Sequence, residues 1–149
     1  MAMTDAQIRA MFADPGRAPP TSRLMGFELV DFSQAGGWVE AAFTARPEFL
    51  NPMGNVQGGF VTGMLDDAMA VAALIKSGFT KVVPTLQMTV TFLAPVSLGR
   101  VLVRGEVLRL GGATAQMAGT LRLADGTVAA TAVAAAVVRD MPGQPKARG

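Results

Sequence analysis

A single long apolar segment, Phe60–Ile75, restricts the folds open to this chain more than any other feature of its sequence. Its only charged residues are Asp66 and Asp67. As a helix it would be apolar around nearly its whole girth, so it must be buried on most sides. Its Gly and Ala residues permit close approach to a sheet, and its Met side chains fill irregular gaps. The segment therefore predicts one central helix packed against a sheet.

The rest of the chain shows strand patterns. In Thr85–Phe92 apolar and polar residues alternate strictly, which predicts a strand. The Asp125-Gly126 pair predicts a hairpin turn, and β-branched residues within the Ala-rich segment that follows favour a strand there over a helix. The other predicted strands are Met25–Phe32, Trp38–Thr44, Val101–Leu110, Thr114–Leu123 and Thr127–Arg139. Two strands, one helix and about four antiparallel strands place the chain in the α+β class.

The whole chain, 1–149, is predicted to form a single domain. Thr4 and Gln7 form a capping-box pattern at the start of a short helix that ends near Phe12. Residues 1–20 are thus an N-terminal helix and a connection. Residues 141–149 are predicted to be a disordered tail.

The composition excludes several chemistries. The chain has no Cys and no His, so a Cys nucleophile, a Ser-His-Asp triad, a zinc finger, a His- or Cys-bound haem and a disulfide framework are all impossible. Acid-base chemistry must therefore fall to Asp, Glu, Lys or backbone groups.

Charge and hydropathy give no indication of a nucleic-acid or membrane partner. The net charge is +2 and the basic residues are scattered. The mean hydropathy is high, at +0.37, but the longest uncharged stretch, Val82–Gly99, contains two prolines and alternates in polarity. The N-terminus lacks a signal-peptide pattern. We expect a cytoplasmic domain whose surplus of apolar residues is buried in a subunit interface.

The two carboxylates in the apolar segment require an explanation, because burying an isolated charge is costly. Asp66 and Asp67 point about 100° apart on a helix, so both are unlikely to face water if the helix is mostly buried. Upstream, Gly58-Gly59 offers unobstructed backbone N–H groups at the helix start, which suit an oxyanion. The two glycines could also serve only a tight turn. No Gly-Lys-Ser/Thr follows, so this is not a nucleotide-hydrolase phosphate loop.

The order and spacing of these residues resemble a known family. The segment 51–59, Asn-Pro-Met-Gly-Asn-Val-Gln-Gly-Gly, followed by Asp66, is similar to the signature of hotdog-fold thioesterases of the phenylacetate-pathway (PaaI-like) type. Segments 24–30 and 90–95 resemble that family's first strand and the strand and turn after its helix. The resemblance implies an antiparallel sheet around one central helix, dimers that often pair into tetramers, and hydrolysis of acyl-CoA thioesters without a further cofactor or metal.

The resemblance also implies roles for individual residues. Asn51 and the Gly58 N–H would polarise the thioester carbonyl, Asp66 would activate a water or attack directly, and Thr85 would help to place that water. Gln57 stands where the family usually has His, and Gln cannot carry a proton at neutral pH. The implied substrate contacts are Gly59, Pro95, Arg109, Gly111 and Gly112.

Helix geometry adds a requirement for a second subunit. Gly58 and Asp66 would lie about 12 Å apart along one helix axis, so they cannot both contact one carbonyl. If both act, the carbonyl lies between Gly58 of one subunit and Asp66 of another.

Two other functions are open to such a fold. A non-catalytic acyl-CoA-binding protein would need no acid opposite the Gly-Gly amides, and a purely structural oligomer would leave the spacing of Asn51 and Gly58-Gly59 unexplained. Hotdog-fold dehydratases use a His, which this chain lacks.

Overall fold

The computed structural model describes residues 1–143. It contains an N-terminal segment, residues 1–27, with two short helices, together with a long central helix and a six-stranded antiparallel sheet. Two short 3₁₀ turns, Pro15–Arg17 and Pro47–Phe49, lie in the connections. The helices and strands are α1 Asp5–Phe12, α2 Pro20–Leu24, β1 Glu28–Ser33, β2 Trp38–Ala45, α3 Gly58–Lys76, β3 Lys81–Val82, β4 Thr85–Phe92, β5 Gly99–Leu110, β6 Thr114–Arg122, β7 Val128–Val137 and β8 Arg139–Asp140.

The sheet has the order β1-β2-β5-β6-β7-β4, and β3 and β8 form a separate two-stranded ladder. All neighbouring strands run antiparallel. The strand β4 follows α3 in the chain but joins the sheet at its far edge, beside β7. This crossover places α3 across the concave face, so the predicted α+β class and the sheet wrapped around one central helix are confirmed.

Two glycines that face each other on neighbouring strands let α3 lie directly on the sheet. Gly105 of β5 is paired with Gly119 of β6. A methyl group at Gly105 would lie 2.3 Å from the carbonyl oxygen of Ala68, and one at Gly119 would lie 3.1 Å from the Leu65 side chain. Any larger side chain at Gly105 would therefore push the helix backbone away from the sheet.

Strand β2 follows the predicted alternation in part: Val39, Ala41 and Phe43 are fully buried, but Ala42 on the other face is buried as well. The Ala-rich segment is indeed a strand, β7, and its alanines leave room for the Met and Leu side chains of α3. The N-terminal capping box is present as predicted: the Thr4 side chain accepts from the Gln7 backbone, and Gln7 caps in return.

Two parts of the sequence interpretation were wrong in detail. The connection after residue 17 contains a further helix, α2, in which Pro20 occupies the first turn, where proline is tolerated. The first strand accordingly begins at Glu28, three positions after the predicted Met25. Of the predicted tail, only 141–143 fall within the described residues.

Helix α3 is less enclosed than the sequence predicted. Its sheet-facing side is fully buried, but Phe60, Gly63 and Ala70 on the opposite side are only half-buried. By length and hydropathy α3 could cross a membrane, but half of that stretch is buried inside the protein, as expected of a core helix. The half-open side of α3 carries both carboxylates.

Candidate functional site

The two acidic residues of α3 face different partners. Asp66 accepts a 2.8 Å hydrogen bond from the hydroxyl of Thr85, the first residue of β4. Asp67 accepts a 2.9 Å hydrogen bond from the hydroxyl of Ser22 in α2, which is buried. Both aspartates are half-buried. The expectation that they are not both simply solvated is therefore correct.

Their surroundings also differ electrostatically. Burial raises the pKa of the Asp67 carboxyl, and the negative charge of Asp66 acts in the same direction, while the hydrogen bond from Ser22 opposes both. The Thr85 hydroxyl donates to one carboxylate oxygen of Asp66. The other oxygen can still accept a proton from water, as a general base must. The pair thus consists of one acid held by an edge strand and one acid held by the N-terminal segment.

The start of α3 presents one unengaged backbone donor. Gln57 is the N-cap residue, and its side-chain oxygen accepts a 2.6 Å hydrogen bond from the Gly59 N–H. The Gly58 N–H donates to none of the residues in the described part of the chain. Of the two amides that the sequence singled out, Gly58 is therefore the one available to a ligand oxygen, with the positive end of the helix dipole behind it.

Asn51 holds the loop that leads to this helix start. Its side-chain oxygen accepts hydrogen bonds from the backbone N–H groups of Met53, at 2.9 Å, and Asn55, at 3.2 Å. Its side-chain NH₂ group donates to no residue between 1 and 143. The side-chain oxygen of Asn51 thus stabilises a tight turn, and its side-chain NH₂ group can donate to another acceptor.

Phe92, at the end of β4, covers the helix start. A methyl group added to Gly58 would lie 3.1 Å from the tip of the Phe92 ring. The neighbouring loop, which includes the exposed Pro95, is joined to the Asn51 loop by a 2.8 Å hydrogen bond from the Val56 N–H to the Val96 carbonyl. These contacts define one cluster, the helix-start group, which consists of Asn51, Gln57, Gly58, Gly59, Phe92 and Pro95.

The remaining predicted residues lie at the opposite end of β4. Thr85 is paired with Ala136 of β7, which is paired with Ala115 of β6, next to the β5–β6 turn. That turn contains Gly111 and Gly112, and the exposed Arg109 precedes it at a bulge. Asp66 and Thr85 lie at this end of the sheet, and we call them the acid group. The structure thus divides the predicted site residues between two places about 12 Å or more apart along α3.

A cavity of about 350 Å³ lies along the half-open side of α3. Asp66, Asp67 and Gly59 line it, together with Leu24 and Met25 from the end of α2. No cluster of three His, Asp or Glu side chains that could hold a metal ion occurs within residues 1–143.

Sequence reasoning missed Ser22 and Phe92. Ser22, between the predicted connection and the predicted first strand, was assigned to no element, although the Pro19-Pro20 pair ahead of it is a helix-start signal. Phe92 was assigned to the apolar face of a strand, and no local pattern indicates that its ring would lie over Gly58.

The model of the thioesterase superfamily matches residues 53–130, which is more than half of the chain. Comparison with curated proteins found no match.

Solved structures are similar over most of the chain. A phenylacetic acid degradation-related protein from Ralstonia eutropha JMP134 is 31% identical, with a TM-score of 0.76 over 82% of this chain and 93% of that one. The PaaI protein from the phenylacetic acid degradation operon of E. coli is 16% identical, with a TM-score of 0.74 over 89% and 90% of the two chains. A Streptococcus mutans UA159 protein bound to acetyl-CoA is 22% identical, with a TM-score of 0.68 over 78% and 90%. The last two likenesses are of fold alone.

Proposed function

This chain belongs to the thioesterase superfamily, and on that premise we propose that it hydrolyses acyl-CoA thioesters to CoA and the free acid. The observation that carries the proposal is the Asp66 carboxylate, half-buried on a largely apolar helix and held at 2.8 Å by the Thr85 hydroxyl. The structural neighbour that binds acetyl-CoA supports a CoA thioester as the ligand class.

The active site is completed by a second copy of the chain. Strand β4 is an edge strand and has no partner on its outer side within the described chain. Its exposed apolar side chains include Leu86 at 68% and Phe92 at 55% exposure, and Leu93, directly after the strand, is 59% exposed. An exposed apolar edge strand is a ready site for pairing with another strand, so the two copies pair through β4.

The direction of that pairing brings the two groups of site residues together. Two copies of β4 related by a two-fold axis run antiparallel, and an axis between Met88 and Thr89 places Thr85 opposite Phe92 of the partner. Thr85 contacts Asp66, and Phe92 covers Gly58. Each dimer therefore has two sites, each with Asp66 and Thr85 from one subunit and the helix-start group from the other.

The chemistry follows from the groups that meet there. The Gly58 N–H and the Asn51 side-chain NH₂ donate hydrogen bonds to the carbonyl oxygen of the thioester, where negative charge develops. Asp66 either removes a proton from a water that adds to the carbonyl carbon or itself attacks that carbon. In both cases the carbon–sulfur bond breaks, the CoA thiolate leaves, and water supplies the hydroxyl of the acid.

The remaining predicted residues have supporting roles. Gln57, in place of the family's usual His, fixes the helix start by engaging the Gly59 N–H. The CoA portion of the substrate contacts Pro95 and the turn that contains Arg109, Gly111 and Gly112. Arg109 is the cation in this turn that can pair with a phosphate group of CoA. Dimers pair further into tetramers, and the protein acts in the cytoplasm.

The direct test is thiol release from a panel of short, medium, long and aryl acyl-CoAs by the wild type and by Asp66→Asn. We expect Asp66→Asn to lose a factor of about 10²–10⁴ in kcat, because Asn cannot accept the proton. Asp125→Asn makes the same chemical change in an exposed turn and serves as the control. Equal hydrolysis by wild type and Asp66→Asn, or binding of acyl-CoA without hydrolysis by either, would indicate instead a non-catalytic acyl-CoA-binding protein.

A second experiment tests the shared site. Gly58→Pro removes the one N–H at issue at a helix position that tolerates proline. If Asp66→Asn and Gly58→Pro are each inactive, a refolded equimolar mixture should recover about a quarter of wild-type activity, since half of its dimers contain one intact site. No recovery in mixtures shown to contain heterodimer would rule out the two-subunit site.

A further inference from the structure

A second cavity in the described part of the chain lies between the N-terminal segment and α3, with Ser22 and Asp67 among its lining residues. Its volume is about 840 Å³. The apolar side chains that line it include Phe12, Phe27, Val71, Leu74 and Phe79. A cleft of this size with a largely apolar lining is suited to a hydrophobic ligand group.

This cavity adjoins the smaller one that contains Asp66. Asp67 and Ala70, one turn apart on α3, line both cavities. On α2, Ser22 lines the larger cavity and its neighbour Thr21 lines the smaller one. The hydrogen bond from Ser22 to Asp67 therefore lies at the junction between the two cavities. A group attached to a carbonyl at Asp66 would therefore have to pass this pair to reach the apolar cavity.

Three of the side chains that line the large cavity are aromatic rings in contact with one another. Phe12 stacks on Phe27 with ring centroids 5.7 Å apart and meets Phe79 edge-on at 6.1 Å. Phe79 holds its ring there with a backbone φ of 61°, a left-handed conformation that is unfavourable for a bulky residue. Strain of this kind persists only where surrounding contacts impose it, and here it places a ring against the cavity.

The charges around the cavity also select its occupant. Of the charged residues that line it, Arg9 is paired with Asp31, Arg17 with Asp14 and Glu28 with Arg100, and Arg23 is exposed. Asp67 in its lining and Asp66 in the adjoining smaller cavity disfavour a second negative charge nearby. An uncharged apolar group is therefore the favoured occupant.

From this arrangement we infer that the large cavity receives the acyl group of the substrate, so that the enzyme prefers thioesters of neutral, apolar acyl chains well longer than acetyl. The inference rests on the proposed thioesterase function, and Ser22 and Asp67 then act as specificity-determining residues at the entrance. The N-terminal segment, which supplies one wall, thereby sets the range of acyl groups accepted.

The test compares kcat/KM for dodecanoyl-CoA and acetyl-CoA in wild type and cavity-filling variants. Leu74→Trp fills the cavity from α3, and Ala18→Trp fills it from the opposite wall, so a folding defect in one leaves the other informative. In each variant we expect the ratio of kcat/KM for dodecanoyl-CoA to that for acetyl-CoA to fall about tenfold or more, because the dodecanoyl group loses the space that it would occupy. Ala6→Leu, an exposed position of α1 outside the cavity, should leave the ratio unchanged.

A parallel binding measurement separates this inference from the proposed function. Calorimetric titration with dodecanoyl-CoA and acetyl-CoA, on dimers shown to be folded by circular dichroism, should give tighter binding of dodecanoyl-CoA to wild type and loss of that difference in both tryptophan variants. If wild type hydrolyses both thioesters and neither filling variant changes the ratio or the difference in affinity, the acyl-cavity inference is overturned while the thioesterase function stands. If nothing is hydrolysed but the affinity difference is present and disappears on filling, the cavity assignment stands and the hydrolytic function fails.

Discussion

The Thr85 hydroxyl lies 2.8 Å from the Asp66 carboxylate and donates a hydrogen bond to it, joining the first residue of an edge strand to the middle of the central helix. The strand has a register shift between Thr85 and Gln87. Bulges of this kind occur at sheet edges beside active sites, where they redirect a side chain. The orientation of the proposed catalytic acid thus depends on a strand that also forms the proposed subunit interface.

Removing the Thr85 hydroxyl should lower kcat without changing KM appreciably. Thr85→Val keeps the shape of the side chain but loses the donor, and a hydrogen bond to a charged group is worth about a tenfold to hundredfold rate effect when it acts in the transition state. Thr85→Ser keeps the hydroxyl and should retain most of the activity. Steady-state kinetics with one acyl-CoA measure both, and equal activity of the Val and Ser variants would contradict a role for the hydroxyl.

The contribution of the Gly58 N–H can be separated from crowding by Phe92. Gly58→Ala adds a methyl group 3.1 Å from the Phe92 ring but keeps the N–H. Gly58→Pro removes the N–H, and the extended backbone of Gln57 before it, with φ −63° and ψ 137°, is compatible with a following proline. We expect kcat of Gly58→Pro to be about 10²–10³ below that of Gly58→Ala. Similar kcat values for the two variants would show that the amide does not bind the oxyanion.

A charge at the exposed edge should abolish both association and activity. Leu86→Asp replaces an apolar side chain of the proposed interface by a charge that association would remove from water at a high cost, so we expect monomers by sedimentation velocity and loss of thiol release. Leu108→Asp is the matched control, because Leu108 is 63% exposed, against 68% for Leu86, but lies on β5 away from this edge. A Leu86→Asp variant that stays dimeric and active would place the interface elsewhere.

Gly105 should tolerate no side chain. Gly105→Ala forces a methyl group against the α3 backbone, and overpacking of this kind costs about 1–3 kcal/mol or more. Gly112→Ala, at a turn with open space around the added carbon, should change the free energy of unfolding by less than about 0.5 kcal/mol. Urea unfolding monitored by circular dichroism measures both, and equal stability of the two variants would mean that α3 can shift freely on the sheet.

Asp67 should make stability depend on pH. Because folding raises the pKa of this carboxyl, the native state favours the protonated form, and the contribution to stability is greatest below the ordinary aspartate pKa of about 3.9 and is lost as pH rises through the native pKa. Asp67→Asn keeps an oxygen for the Ser22 hydroxyl and is never charged. It should be more stable than wild type at pH 7, with the difference vanishing towards pH 3.

Thermal unfolding from pH 3 to pH 8 tests this prediction. Asp125→Asn is the opposite control: hydrogen bonds from Thr127 hold the pKa of the Asp125 carboxyl below its usual range. Neutralising it should therefore not raise stability at pH 7. A stability gain in Asp67→Asn that is the same at every pH would contradict the assignment.

Local patterns were enough to predict most of the elements. Apolar periodicity identified α3 and the strand β4, and turn residues with β-branched side chains identified β7 despite its alanines. The helix α2 was missed because five residues are too few to show a helical period.

The candidate site was predictable only as a set of residue types. The spacing of Gly58 and Asp66 on one helix indicated two separate places, because axial distance along a helix follows directly from residue number. No local pattern indicated the partners of the two aspartates, since Ser22 and Thr85 are remote in the chain from the residues that they contact. Only the family resemblance associated Thr85 with Asp66, and nothing indicated Ser22.

The sequence by itself thus determined most of the elements, the absence of His and Cys chemistry, and the choice of Asp66 as the candidate acid. Only the tertiary structure decided which aspartate faces the edge strand and which faces the N-terminal segment, that Phe92 covers Gly58, and that an apolar cavity adjoins the acid. The physical reason is that periodicity and turn preference act between neighbours in the chain, whereas these contacts depend on how close α3 can approach the sheet at Gly105 and on which strand occupies its edge.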